Sequence, residues 1–489
     1  MSMFDIGAVF PPYSHRRRIR RYRENKKLFL GAHYDVFQSN DRLSHSQKEL
    51  LYLSVNLPGI IAKKSADFLF GEVPTYSAGR EDNAPEQKAL ERLVSTNHLN
   101  TMAYKSALGN AYRGDSFVKI RWGQKYNGAL PSSVDPFRVF IENQNAEYVF
   151  PETMPGDATQ IMVFHIAIPV EVKDDRGRRD WIISVESHYP GFIQYAQYRA
   201  NVKANETDGT PTEWKIYAEI EEARRTVETG VPMPLVVHIP NYTTDDNWEG
   251  IDDLTEHKSV FDEINNRLSK IADILDKHAD PALVVPSGTL AEDENGNATF
   301  VTGRDKVFEV MGKDDVTPSY VTWNGQLTAA FEELRTLIKL LLINAEIPEI
   351  ALGSGDSGTS GSSGLAIKFR MNSLLAKINR KRQYYDKGLK EALLIAQMLE
   401  HARSGRKPAY DEPKINFKDG LPDDDAEQAN IYAIRTGGKA TVSRKTALMK
   451  LDGLTEEQAD AEIKRMEDEE KAAAEIAAKV DGVNPTIFE

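Results

Sequence analysis

The stretch GIDDLTEHKSVFDEINNRLSKIADIL, residues 250–275, carries apolar side chains at Phe261, Ile264, Leu268, Ile271 and Leu275. Steps of three and four put these side chains on one seam of a helix over about 253–278. A second seam, Leu327, Phe331, Leu334, Ile338, Leu341 and Ala345, has the same spacing and predicts a helix over 324–345. At about 1.5 Å per residue the two come to roughly 39 and 33 Å, matched lengths that suit the limbs of one hairpin. Between them, 281–322 holds the short β-like runs ALVVP, ATFV, KVFEV and SYVTW and an Asn295-Gly296 turn signal. A helix, a small β-rich insert and a returning helix therefore project from the rest of the chain.

Upstream, the pattern changes to FVKIRW (117–122), FRVFI (137–141), IMVFHIAI (161–168), WIISVESHY (181–189), WKIYAEI (214–220) and LVVHI (235–239). Turn-forming clusters separate these runs, with no helix long enough for a parallel crossover, so a largely antiparallel sheet is expected. Helical patterns at 47–70, interrupted at Leu57-Pro58-Gly59, and at 85–112, where Pro85 suits a first turn, predict a helical layer against it. The fold class is α+β. Before these, Arg16, Arg17, Arg18, Arg20, Arg21, Arg23, Lys26 and Lys27 crowd a short tract. It reads either as a solvated helix face or as a contact for nucleic acid or an acidic subunit.

Downstream of the second seam lie Gly353, Ser354, Gly355, Asp356, Ser357, Gly358, Thr359, Ser360, Gly361, Ser362, Ser363 and Gly364. Such a loop has almost no side chain to bury and little restraint, so it is expected to be mobile and to face open space. A long helix is predicted over 365–403, its first part carrying Lys368, Arg370, Lys377, Arg380, Lys381, Arg382, Lys387 and Lys390. That basic side suits either solvent or a polyanion or acidic subunit. Acidic helices follow at 423–436, 443–451 and 455–479, with Ser443 as an N-cap and Thr455-Glu-Glu-Gln458 as a capping box.

Composition narrows the function. With 489 residues, two or three domains are affordable, and 61 Lys+Arg against 74 Asp+Glu give a net charge of −13, unlike a protein that coats nucleic acid indiscriminately. No cysteine is present, which excludes disulfides, thiol catalysis and thiolate metal sites. The start, MSMFDIGAVF, lacks a signal-peptide pattern, and no apolar run approaches the ~20 residues of a membrane span. There is no GxxxxGK[ST] phosphate loop, GxSxG elbow or HExxH metal helix. His165, His188 and His238 fall in strands and read as structural; Asp423-Asp424-Asp425 reads as serving a helix dipole. Neither catalytic residues nor a cofactor nor a metal is expected.

The order of these pieces resembles the portal proteins of tailed double-stranded DNA bacteriophages, particularly long-tailed phages of Gram-positive hosts. The resemblance rests on LPGIIAKKSADFLFGEVP (57–74), YRGDSFVKIRW (112–122), VVHIPN (236–241) leading into 250–275, the run from PEIALGSG through YYDKGL (348–389), and KATVSRKTALMKLDGLTEEQADAEIKRMEDEE (439–470). It implies a basic N-terminal arm at 1–29, a wing at 30–250, stem helices at 253–278 and 324–345, a clip at 279–323, a tunnel loop at 346–364, a spine helix at 365–403, a crown at 404–480 and a flexible tail at 481–489. It further implies a dodecameric ring at one capsid vertex of the virion, made in the host bacterial cytoplasm, with no membrane partner. Through that ring a separate terminase would drive double-stranded DNA, with capsid, scaffolding and head-tail adaptor proteins as further partners. Twelve copies at −13 would carry −156 charges, a repulsive environment that keeps a duplex from sticking. Lys368 and Arg370, near the loop, are the cations expected to centre it. Other readings are a different neck or connector ring, an acidic α+β hydrolase using paired carboxylates, and a DNA-binding regulator using the arginine tract.

Overall fold

The computed structural model describes residues 3–37, 52–79, 84–126, 128–173, 179–204, 211–279, 283–284, 291–292, 298–299, 319–320, 327–353, 364–405, 412–418, 420, 425–454 and 456–481. They form two compact units: Met1–Leu352 with Ser373–Gly420, and Gly353–Asn372 with Leu421–Glu489.

The larger unit opens with strand β1 (Val9–Phe10) and helix α1 (Arg16–Phe29). Helix α1 is the arginine tract, and its period buries Arg18, Ile19, Tyr22, Asn25 and Leu28. Arg18 is 1% exposed and donates to the carbonyls of Ala146 at 3.2 Å and Val149 at 2.7 Å. Arg16 pairs with Glu213 at 2.7 Å and Arg23 with Glu147 at 3.1 Å. Only Arg17, Arg20, Arg23, Lys26 and Lys27 present the exposed face that the sequence suggested. Within the expected arm at 1–29, Phe4, Phe10 and Ile19 sit in one core cluster with Phe150, Ile183, Trp214 and Ile216.

Helices α2 (Tyr34–Phe37), α3 (Leu57–Phe70), α4 (Pro85–Thr96) and α5 (Leu99–Arg113), with strand β2 (Thr75–Ser77) after α3, make the helical layer. Leu57-Pro58-Gly59 does not interrupt a helix; it is the first turn of α3. Asn56 caps it by accepting from the Gly59 amide at 2.9 Å, and a proline in that turn forfeits no intrahelical bond. Residues 47–51 of the expected helix lie outside the described residues. The helix expected over 85–112 breaks at Asn97-His98, where His98 adopts φ 47°.

Strands β3 (Asp115–Gly123), β4 (Arg138–Gln144), β5 (Val149–Met154), β6 (Asp157–Lys173), β7 (Arg179–Tyr189), β8 (Phe192–Ala204), β9 (Pro211–Glu219), β10 (Arg225–Glu228) and β11 (Val236–Pro240) follow. They build a seven-stranded sheet in the order β1-β9-β8-β7-β6-β5, with β10 on β8, and a three-stranded sheet β11-β3-β4. Every pairing is antiparallel. Tyr22, Phe117, Val149, Phe164 and Trp248 form a second core cluster joining strands of both sheets.

The hairpin limbs are α6 (Lys258–Ala279) and α7 (Leu327–Asn344), and they pack on one another. Arg267 pairs across them with Glu333 at 3.0 Å. Helix α6 starts later than expected because 253–257 is spent on a cap and a tight turn. Between the limbs, β12 (Leu283–Val284) pairs with β15 (Ser319–Tyr320) and β13 (Ala291–Glu292) with β14 (Ala298–Thr299), all antiparallel. KVFEV and the Asn295-Gly296 turn lie outside the described residues.

The single helix expected over 365–403 is two, α8 (Gly364–Arg370) and α9 (Asn372–Ser404), interrupted at Met371. Helix α9 presses on β11 at Gly388, where a Cβ would stand 2.5 Å from Ile239 Cγ1. Strand β16 (Lys414–Asn416) pairs with β2. In the smaller unit, α10 (Asp425–Thr436), α11 (Arg444–Leu451) and α12 (Glu456–Asp481) pack in succession. Ser443 caps α11, accepting from the Thr446 amide at 3.1 Å. Thr455 lies outside the described residues.

Candidate functional site at the base of the helical hairpin

Two adjacent carboxylates set the root of the hairpin. Asp252 accepts from the amides of Leu254 at 2.9 Å and Thr255 at 2.6 Å and from Thr255 Oγ1 at 2.7 Å, which closes the turn leading into α6. Asp253 points the other way. Its Oδ2 accepts from Lys381 Nζ at 2.5 Å and Ser65 Oγ at 2.8 Å, its Oδ1 from Asn241 Nδ2 at 3.0 Å, and Lys377 Nζ lies 3.4 Å away. Lys377 also donates to the Ala345 carbonyl at the end of α7, at 3.0 Å. One buried carboxylate thereby joins the approach to α6 with the end of α7, with α9 through both lysines, with α3 through Ser65, and with the residue after β11 through Asn241.

Burial by itself would raise the Asp253 carboxyl, but Lys377, Lys381 and Ser65 outweigh it and hold the group well below the carboxylate range. Burial pushes Lys381 down to about 8, against the pull of Asp253. Charges taken out of water in this way are tolerated only when paired and hydrogen-bonded. Lys377 and Lys381 are therefore not on the basic outer face to which the sequence assigned them; both are buried.

Where α7 ends, the Ile347 amide donates to Leu342 O at 2.9 Å and the Glu346 amide to Ile343 O at 3.0 Å. This paired pattern closes a helix with one left-handed residue, a place glycine usually takes. Here Glu346 takes it, at φ 58°, and its carboxylate pairs with Arg380 at 2.6 Å. Ile347, 1% exposed, seals the motif from below. The chain thus leaves the hairpin on a fixed heading at Pro348.

Of the expected seam residues, Phe261, Ile264, Ile271, Leu334 and Leu341 are buried, while Leu268, Leu327 and Ile338 are half-buried. Leu275 is 47% and Phe331 42% exposed. Gly353 has φ 74° and Gly364 opens α8; residues 354–363 of the loop lie outside the described residues. Lys368 and Arg370 are exposed on α8.

A second buried carboxylate, Asp115 on β3, was not singled out by sequence. It accepts from His238 Nε2 at 2.8 Å, the Gly250 amide at 2.7 Å and the Tyr22 hydroxyl. Burial opposes its charge, yet His238, Tyr22 and Arg18 prevail and lower its pKa. His238 is thus structural, and His165 likewise bonds its cross-strand neighbour Ser187 at 2.8 Å. Among the described residues no group of three His, Asp or Glu side chains is placed to hold a metal ion, and no helix is long and apolar enough to cross a membrane.

The described residues thus form a mixed α+β body carrying a helical hairpin rooted in buried ion pairs. The family model described as Phage portal protein, SPP1 Gp6-like, matches residues 12–475. The chain belongs to that family of phage portal proteins. No curated protein gives a significant match to the chain.

Proposed function

We propose that the chain is the subunit of a closed ring, dodecameric in the assembled particle, at one capsid vertex of a tailed phage. Double-stranded DNA enters through its axis during packaging and leaves through it on ejection. In this reading residues 30–250 form the wing, α6 and α7 the stem, 279–323 the clip, 346–364 the tunnel loop, α9 the spine and 404–480 the crown. The clip meets the terminase large subunit and later a head-tail adaptor, and the wing meets major capsid and scaffolding proteins. The subunit is made in the host cytoplasm and ends in the virion. The family match over nearly the whole chain carries this reading.

Physical support comes from α7. Phe331 is 42%, Leu340 50% and Ile343 61% exposed, so one chain leaves apolar groups of the hairpin in water. Leu340 and Ile343, three residues apart, share one face of α7, and a neighbouring copy in a ring would cover that face. The arginine tract gives the DNA-binding regulator less support, because Arg16, Arg18 and Arg23 are engaged within the chain.

Light scattering on the purified full chain tests the reading. A ring has a mass many times the 54.9 kDa of one chain and binds free duplex weakly. A stable monomer at micromolar concentration that binds duplex tightly would overturn it.

A further inference from the structure

At the exit of α7 the chain leaves an apolar notch of about 360 Å³, walled by Leu342, Ile343, Ile347 and Pro348 and rimmed by Glu346, Glu349 and Lys339. Leu342 and Ile347 form its closed floor, while Ile343 stands 61% exposed at its lip. The helix-closing motif at Glu346 fixes its shape. The notch is preformed and has room for one large apolar side chain.

The chain also carries a side chain that calls for such a recess. Phe369 on α8 is 74% exposed, more than any other phenylalanine among the described residues, and basic Lys368 and Arg370 flank it. A phenylalanine left in water beside two cations is out of keeping with a helix that serves only solvent.

We infer that Phe369 of one copy inserts into the Leu342–Ile343–Ile347–Pro348 notch of the next copy. The charges favour this occupant: Lys368 and Arg370 arrive at a rim that carries Glu346 and Glu349 against the single Lys339, with Glu346 already paired to Arg380. An aromatic anchor in an apolar recess with a charged rim is the usual make-up of the few residues that carry an interface. The contact is head-to-tail, since knob and notch are different surfaces of the chain, so it propagates around a ring rather than closing a dimer. It rests on the ring reading above and adds to it the residues that clasp neighbours.

The absence of cysteine makes the test clean. Two single-cysteine variants, Ile343→Cys and Phe369→Cys, are assembled together and treated with a short thiol crosslinker, and ring formation is checked by electron microscopy of the same sample. A covalent dimer in the mixture, absent from either variant alone and linked 343 to 369 by peptide mapping, is the expected result. No intrachain contact can produce it. Phe369→Ala should lower the fraction of rings surviving dilution several-fold while leaving the thermal unfolding of the protomer unchanged, and Phe369→Leu should restore part of it. Rings without the 343–369 link would overturn the clasp and leave the ring reading standing. Folded protein that forms no rings would overturn both.

Discussion

Lys381 Nζ lies 2.5 Å from Asp253 Oδ2, both groups almost wholly buried, and the pair joins α9 to the turn that starts the hairpin. Lys377 shares the same carboxylate and also holds the last turn of α7. The hairpin's direction relative to the sheet body is therefore governed by one acid.

Removing that acid is the severest single change. Asp253→Asn leaves two buried lysines without a counter-charge, which costs about 3–5 kcal/mol. Lys381→Met should cost less, because Lys377 still neutralises Asp253. Denaturant unfolding of both variants checks the order, and equal losses would contradict the account.

Stability should fall on acidification before carboxylates begin to protonate. Burial, aided by Arg18 and His165, lowers His15 to about 3, and burial also lowers His33, His165 and His188. Each binds fewer protons folded than unfolded below its ordinary pKa of about 6.5. The native state is thus fully favoured above that pH and loses about 1.4 kcal/mol per pH unit for each such group as pH drops toward the folded value. His15→Gln should flatten the slope between pH 6 and 4 by roughly one group, read from denaturant midpoints.

Gly388 sets the approach of α9 to β11. Gly388→Ala drives a methyl into Ile239 and should cost about 1–3 kcal/mol, the usual range for overpacking. Ile239→Ala in the same chain should recover part of that loss. Losses that simply add would show that the two sites do not touch.

The left-handed Glu346 separates strain from charge. Glu346→Gly relieves the backbone and Glu346→Ala does not, so the glycine variant should be the more stable by about 1 kcal/mol. Both lose the half-exposed pair with Arg380, which contributes little. Thermal midpoints of the two variants decide it.

Elements with strong periodicity were legible in the sequence. The two hairpin helices and the strand runs upstream of them appear where their spacing puts them, give or take the ends, although Leu275 and Phe331 of the seams are exposed. Strand β8 was not legible: FIQYAQYRANVKA alternates aromatic with polar and basic residues and lacks the Val/Ile run that marks a strand. Strand β5 carries Pro151, a residue that argues against a strand except at a sheet edge, where β5 lies. The basic list on α9 misled for a different reason. Helical spacing shows which lysines share a face but not whether a buried acid waits opposite, and Asp253 lies far off in sequence from Lys377 and Lys381. The cap at Asn56 was hidden because Leu57-Pro58-Gly59 breaks a helix in its middle yet starts one at its end.

A reconstruction of the purified assembly by electron cryomicroscopy bears most directly on the claim that this chain builds a conduit. The account predicts a closed ring of head-to-tail subunits around an axial opening that admits a DNA duplex. A closed dimer, or a ring whose axis is filled by its own side chains, would contradict it.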